Sequence, residues 1–416
     1  MHRLAWITAF LGLLSTCGLP RPLVAGDWPQ ILGPFRNGLA ENESLASSWN
    51  GGAPATRWER PVGHGLAGIA VAEGIAVLFH RVGDEDLVEA MNAKNGEVLW
   101  HYAFKTSYQP SIDPNDGPLC VPVIHNSRVY IYGAQGRLAC LNLKTKKLFW
   151  MQETHSDLKA LEGYFGAGST PLIEGDKILV NVGGSRGGIA AYALDGGKLV
   201  WTKTRDGASY SSPVAATING VRHVIFLTRL NAVSLDPSSG KIRFQFPFGK
   251  RGPTVNAANP LVLGDKLFLS ASYRIGAVYA NIEPDAATII WNNDEVMSSQ
   301  YTTCVVHDGL LFGIHGRQDM GVAELRCFDP QTRKIHWSQP GFGYATLIKA
   351  DDKLILLKTN GELVLAVPNA AAFRELTRAR LLESRTRALP ALADGLFYAR
   401  DETTLKCVDL GSARRP

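Results

Sequence analysis

Arginines at positions 81, 186, 229, 274, 317 and 400, and tyrosines at 164, 210, 301 and 344, are the side chains here whose type and spacing suit ligand chemistry. A guanidinium fork holds carboxylate or phosphate in a bidentate grip, and an aromatic face accepts a flat or extended body. Each arginine falls at or beside a turn within a repeating unit, with Lys358 and Arg137 offering the same chemistry in the two units that lack one. The tyrosines fall shortly before the first strand of a unit. On a closed ring of such units these positions share one face. The spacing therefore predicts a face with a ring of cations and aromatics near its centre. An arginine on a turn is also an ordinary solvated charge with a long apolar stem, and that is the competing expectation.

Other chemistries find no footing in the residues. Asp84-Glu85-Asp86 is the densest acidic run and reads as a solvated turn, since calcium wants six or more oxygens. His307 and His315 are eight apart across a strand and turn, and the remaining histidines show no paired metal spacing, so no metal site is expected. Gly183 to Gly188 is glycine-rich but joins two strands instead of opening a helix. No nucleophile elbow or phosphate loop occurs, and no catalytic residue is assigned.

The elements that must position these side chains are announced by a repeat. Asn92 to Trp100 returns as Asn142 to Trp150, in shortened form as Asp195 to Trp201, then as Asp236 to Phe244, Glu283 to Trp291 and Asp329 to Trp337. A period of roughly 35 to 50 residues is one supersecondary unit of a propeller or solenoid. Each copy reads as an apolar strand, a polar turn and a short strand ending in Trp, with Asp or Asn bonding its own backbone at the turn. Upstream, Pro122, Pro171, Pro213, Pro260 and Pro390 mark strand starts, with Ala70, Cys304 and Thr346 in the equivalent places. Two columns of eight, four strands per unit, predict an all-β eight-bladed propeller of four-stranded antiparallel blades. The last copy, near Leu405 to Asp409, lacks its outer strand, which Arg57 to Arg60 supplies from the other end of the chain. Asn369 to Leu382 alone would read as helix from its Ala, Leu, Arg and Glu content, and a seven-bladed ring is the alternative count.

Hydrophobic residues make up 45% of the 416, ample for a core, and 42 glycines suit a turn-rich β chain. A net charge of +5 is too mild to argue for nucleic acid. Residues 1–26 read as a signal peptide: His2 and Arg3, an apolar run from Leu4 to Leu14, and small residues at Val24-Ala25-Gly26. Cleavage near Ala25 or Gly26 is expected, with a lipid anchor on Cys17 as the alternative. A lead-in segment, 27–56, a propeller, 57–410, and a tail, 411–416, follow. The five cysteines beyond the signal segment form no complete disulfide set. Cys140, Cys327 and Cys407 share a repeat column with Ala90, Ala193 and Ser234, and the column wants a small buried residue.

The motif Ala-x-Asp-x-x-x-Gly-Lys-x-x-Trp, best seen at Ala193 to Trp201 and Ser234 to Phe244, resembles the tryptophan-docking repeat of the PQQ-like (pyrroloquinoline quinone) propellers. Asp27-Trp28-Pro29-Gln30 with Gly33 to Gly38, Tyr210 to Val214 and Tyr398 to Asp401 resemble exported bacterial members of that family. The resemblance implies eight blades with Trp100, Trp150, Trp201, Trp291 and Trp337 packed between them. It also implies two functions. One is a non-catalytic scaffold of the bacterial envelope, similar to the propeller lipoprotein of outer-membrane β-barrel assembly, periplasmic or extracellular, monomeric, without a resident cofactor, and holding a protein or peptide. The other is a PQQ- and calcium-dependent oxidoreductase acting on alcohols or sugars, for which this sequence lacks the adjacent cysteine pair. A carbohydrate binder is a third expectation, weakened because blade packing uses most of the tryptophans.

Overall fold

The computed structural model describes residues 26–49, 52–161 and 163–411. Residues 1–25 of the signal segment, Cys17 among them, and positions 412–416 lie outside them. Within the described residues the chain forms eight antiparallel sheets, an eight-bladed β-propeller with strands A to D running outward from the axis. Blades 1 to 7 span residues 70–105, 123–153, 172–203, 214–247, 261–293, 305–339 and 345–380. Blade 8 takes strands A to C from 391–409, and its outer strand is Ala55–Pro61, paired antiparallel with Thr404–Asp409. That pairing closes the ring and leaves no blade short of a strand. The stretch with helical composition forms the outer strand Arg374–Arg380. Its partner strand Glu362–Val367 offers an unpaired edge, and pairing there outweighs intrinsic helix preference.

The core lies between blades. Trp100 of blade 1 packs with Val129, Leu141 and Leu143 of blade 2, and Trp150 of blade 2 with Ile178, Val180 and Ala190 of blade 3. A register shift recurs in the pairing of strands C and D in every blade. The extra residue, Leu99 in blade 1 and Phe149 in blade 2, re-aims the next side chain, as bulges do. The Trp so aimed lies opposite the small-residue column: Trp150 faces Cys140, Trp337 faces Cys327 and Trp58 faces Cys407. In blade 3 it is Ala191 that faces Trp201, and not Ala193. The amide of Ala193 bonds the carbonyl of Lys198, as the amide of Asn142 bonds that of Lys147. That copy is therefore full length, with Ala193 in the place of Asn142. All five described cysteines are buried free thiols, and burial pushes Cys304, Cys327 and Cys407 up to about 12.

The lead-in packs against the blades from inside the ring. It enters the channel from the face that carries the A–B and C–D turns and lies against the innermost strands. Trp28 bridges Val71 of blade 1, the amide of Ile124 in blade 2 bonds the carbonyl of Pro29, and Leu39–Ala40 runs parallel to strand A of blade 7. Glu43 and Ala46 then leave through blade 8, accepting from the amide of Gly395 and donating to the carbonyl of Leu410. Arg36 is buried, 2% exposed. Its guanidinium donates to Gln30 at 2.8 Å, Thr170 O at 3.2 Å and Pro213 O at 2.9 Å, and also to Pro171 O. No carboxylate balances it among these partners; carbonyl oxygens of blades 3 and 4 hold the charge, and burial lowers its pKa to about 9.

Candidate functional site

Because strands alternate in direction, the B–C turns and the D-to-A connections occupy one face, opposite the one the lead-in enters. The long connection 106–122 crosses this face to meet the connection 381–390. Asp113 receives Arg387 at 3.3 Å, and Arg387 also donates to Gln318 at 2.8 Å. Gln318 accepts in turn from the Tyr301 hydroxyl at 3.0 Å, and Ser111 Oγ donates to Tyr164 O at 3.3 Å.

The arginines do not form one ring of equals. Arg81 and Arg400 are buried, 4% and 1% exposed, and are not offered to a ligand. Arg81 is held by Asp86 at 3.0 Å, Asp116 at 3.1 Å and Tyr108 O at 2.8 Å. Arg400 donates to Gly63 O at 2.7 Å and Asp401 O at 3.1 Å, and burial pulls it down to about 10. Both sit at the end of strand B where the neighbouring connection folds over them, an enclosure that turn position alone cannot reveal. Arg229 braces the connection 248–260 through Gly252 O and Thr254 O and lies 5.9 Å over the Tyr164 ring. Arg317 pairs with Asp319 and lies 4.2 Å over Tyr273. Arg186 and Arg274 are exposed. Lys358 pairs with Glu362, and Arg137 with Glu153 at 2.6 Å.

The tyrosines also divide. Tyr344 is buried, and its hydroxyl accepts from the amides of Tyr301 at 2.7 Å and Thr302 at 3.1 Å. Tyr210 accepts from the amide of Phe165 at 3.1 Å, and burial raises its pKa. Tyr164 and Tyr210 stand together in the connections of blades 2 to 4, while Tyr301 and Tyr344 lie before blades 6 and 7 with ring centroids 4.3 Å apart and planes tilted by 40°. Two clefts open on this face and share Tyr164. One, of about 600 Å³, holds Tyr273, Arg274, Arg317 and Asp319; the other, of about 550 Å³, holds Arg229 with Lys159 and Arg205, two cations the repeat did not single out. Neither occupies a repeat column, so periodicity could not find them.

The tryptophans lie away from both clefts. Trp100, Trp150, Trp291 and Trp337 each donate from Nε1 to a carbonyl in the next blade, Leu143, Leu194, Pro330 and Asn369, at 2.7 to 2.8 Å. Trp58 does the same to Ala93 at 3.0 Å, and Trp201 Nε1 is buried without a partner. A Cβ at Gly197 would stand 2.5 Å from the Trp150 ring, so this turn needs glycine for contact as well as for its φ of 65°.

The family model for the outer membrane protein assembly factor BamB matches residues 83–339. The chain belongs to that family. It is 24% identical to BamB of Burkholderia pseudomallei over 65% of this chain and 68% of that one. It is 26% identical to the quinohemoprotein alcohol dehydrogenase ADH IIB of Pseudomonas putida over 76% of this chain, a match spanning 42% of that enzyme's length. Among solved structures, the quinohemoprotein alcohol dehydrogenase of Comamonas testosteroni superposes with a TM-score of 0.66 at 14% identity, over 94% of this chain and 82% of that one. BamB of Moraxella catarrhalis gives 0.63 at 15%, over 87% and 100%. The family model establishes the family, and the solved structures of both kinds share the propeller fold.

Calcium is held by six or more oxygen ligands. No group of three or more His, Cys, Asp or Glu side chains among the described residues is placed to hold a metal ion. Three acids of this face are engaged by cations: Asp113 by Arg387, Asp116 by Arg81 and His64, and Asp319 by Arg317. Asp401 accepts from the amides of Ser384, Thr403 and Thr404. Arg36 and its carbonyl partners fill the axis from the other side.

Proposed function

We propose that this chain is a binding propeller of the bacterial cell envelope that holds a protein or peptide partner on the face of the B–C turns. One observation carries the reading. Ile112, Leu161, Met320 and Val322 stand 59%, 91%, 63% and 67% exposed on that face, beside the exposed Arg186 and Arg274. Apolar anchors interleaved with arginine and aromatics are what partner interfaces use. Family membership supports a scaffold role, since the matching family model and a relative matched over 68% of its length are named outer membrane protein assembly factors. The signal-like N-terminus supports export.

The test is photo-crosslinking in cells from a reactive residue at Ile112 or Met320, with Gln331 on the opposite face as control. A discrete adduct from 112 and 320 and none from 331 is expected. Equal adducts from both faces, or none from 112 and 320, overturn the assignment. The dehydrogenase reading is tested separately by absorbance titration of the purified protein with PQQ, with and without calcium. No saturable, calcium-dependent shift is expected, and such a shift would establish the quinoprotein reading in its place.

A further inference from the structure

We infer that the outer rim of blades 1 to 3, formed by their C–D turns and the start of their outer strands, rests on an anionic lipid surface. This goes beyond the partner-binding reading and does not depend on it, because the rim lies on the face opposite the B–C turns. The three turns carry Lys94, Lys144, Lys146, Lys147 and Lys198, all exposed. The outer strands that follow them show Val98, Leu99, Phe149, Met151, Leu199 and Val200, also exposed. Trp100 ties blade 1 to Leu143 O at the turn of blade 2, and Trp150 ties blade 2 to Leu194 O at the turn of blade 3. The rim is therefore one continuous arc in which ammonium groups and apolar side chains alternate. Such a mixture suits a membrane interface: apolar bodies enter the headgroup boundary while lysine stems carry their charge to lipid phosphates.

The arc has a surplus of positive charge. Glu73 receives Lys144 at 3.4 Å, Asp195 receives Arg128 at 3.0 Å, and Asp176 receives Lys177. Glu97 offsets Lys94, which leaves Lys146, Lys147 and Lys198 in excess. The outer strand of blade 5 also exposes Ile289 and Ile290, but its C–D turn carries Glu283 and Asp285. Where the described chain begins and ends favours lipid as the occupant. Gly26 lies against the Asp394 carboxylate and Gly411 against Gly395, in the A–B turn of blade 8, next to blade 1 on this same face. The segments attached there, 1–25 and 412–416, hold the apolar run Leu4 to Leu14, Cys17 and Arg3, Arg21, Arg414 and Arg415, with no Asp or Glu. Glu162, the one Asp or Glu outside the described residues, follows Leu161, which lines a cleft of the opposite face.

The test is flotation of the purified full chain carrying Cys17→Ser, so that no acyl chain on that residue contributes. Vesicles of phosphatidylcholine alone are compared with vesicles of phosphatidylcholine and phosphatidylglycerol in equal parts. The protein is expected to float with the anionic vesicles, to be released by high salt, and to float less with phosphatidylcholine alone. K146Q/K147Q/K198Q, all at exposed turn positions, should lower partition onto the anionic vesicles about tenfold or more. R186Q/R274Q, on the opposite face, should float as the parent does. Equal flotation with both kinds of vesicle, or equal flotation of the parent and K146Q/K147Q/K198Q, would overturn the inference. No flotation with the anionic vesicles, together with a discrete protein adduct from a photo-crosslinker at Leu99, would overturn it in favour of a protein partner on the rim.

Discussion

The two tryptophans Trp100 and Trp201 occupy the same repeat position and differ in one hydrogen bond. Trp100 Nε1 reaches Leu143 O at 2.8 Å, whereas Trp201 Nε1 is buried without an acceptor. Trp100→Phe should therefore cost about 1–3 kcal/mol by leaving the Leu143 carbonyl unpaired. Trp201→Phe should change stability by less than about 0.5 kcal/mol, since it removes an N–H that burial already penalises. Urea unfolding of the pair checks this, and equal losses would show that ring volume alone docks the blades. His155 makes a second test. Burial lowers its pKa to about 4. Above the usual imidazole pKa both the folded and unfolded states are neutral there. As pH falls through the mid-sixes toward 4, the unfolded chain takes a proton that the fold refuses, and stability is lost across that window. The loss from this one group can reach about 3 kcal/mol. His155→Phe, which keeps a ring against Tyr132, should show a smaller drop in urea midpoint between pH 7 and pH 4.5 than the parent. An equal drop would place the sensitivity in other groups.

At the scale of elements, the lead-in has the largest consequence. Trp28, Leu32 and Arg36 fill the channel, and the segment bonds to blades 1, 2, 3, 4, 7 and 8. It ties the ring along its inside, as Ala55–Pro61 ties it at the outer edge. Arg36→Met keeps a long apolar stem but strands the carbonyls of Thr170, Pro171 and Pro213. It should lower stability by about 3 kcal/mol or more. Thermal unfolding followed by circular dichroism measures it, and an unchanged midpoint would mean that the lead-in melts independently of the ring. The C–D bulge belongs to this scale as well. One extra residue per blade, such as Phe149, turns the next side chain toward the neighbouring blade. The small residue opposite, Cys140 or Cys327, leaves space for the indole.

At the scale of the whole molecule, eight blades closed by the N-terminal strand were legible in the repeat, because each blade must present the same docking Trp and turn to its neighbour. Strand starts at Pro122, Pro171 and Pro213 and the closing strand around Trp58 followed from residue type and spacing alone. The face was legible only as a topology. The turn arginines do share one side of the ring, but whether a given cation is buried, paired or free depends on which connection folds over it. Arg81 and Arg400 lie beneath such connections, Arg317 meets Asp319 two residues on, and Arg186 and Arg274 stand clear. Lys159 and Arg205 were invisible to periodicity because they lie in connections of unequal length that no repeat governs. The sequence by itself thus determined the number and pairing of strands, since local period and turn chemistry act over a few residues. Only the tertiary structure decided what fills the channel and which charges remain free. Those outcomes rest on contacts such as Arg36 with Pro213, between residues 177 apart, which no local pattern encodes.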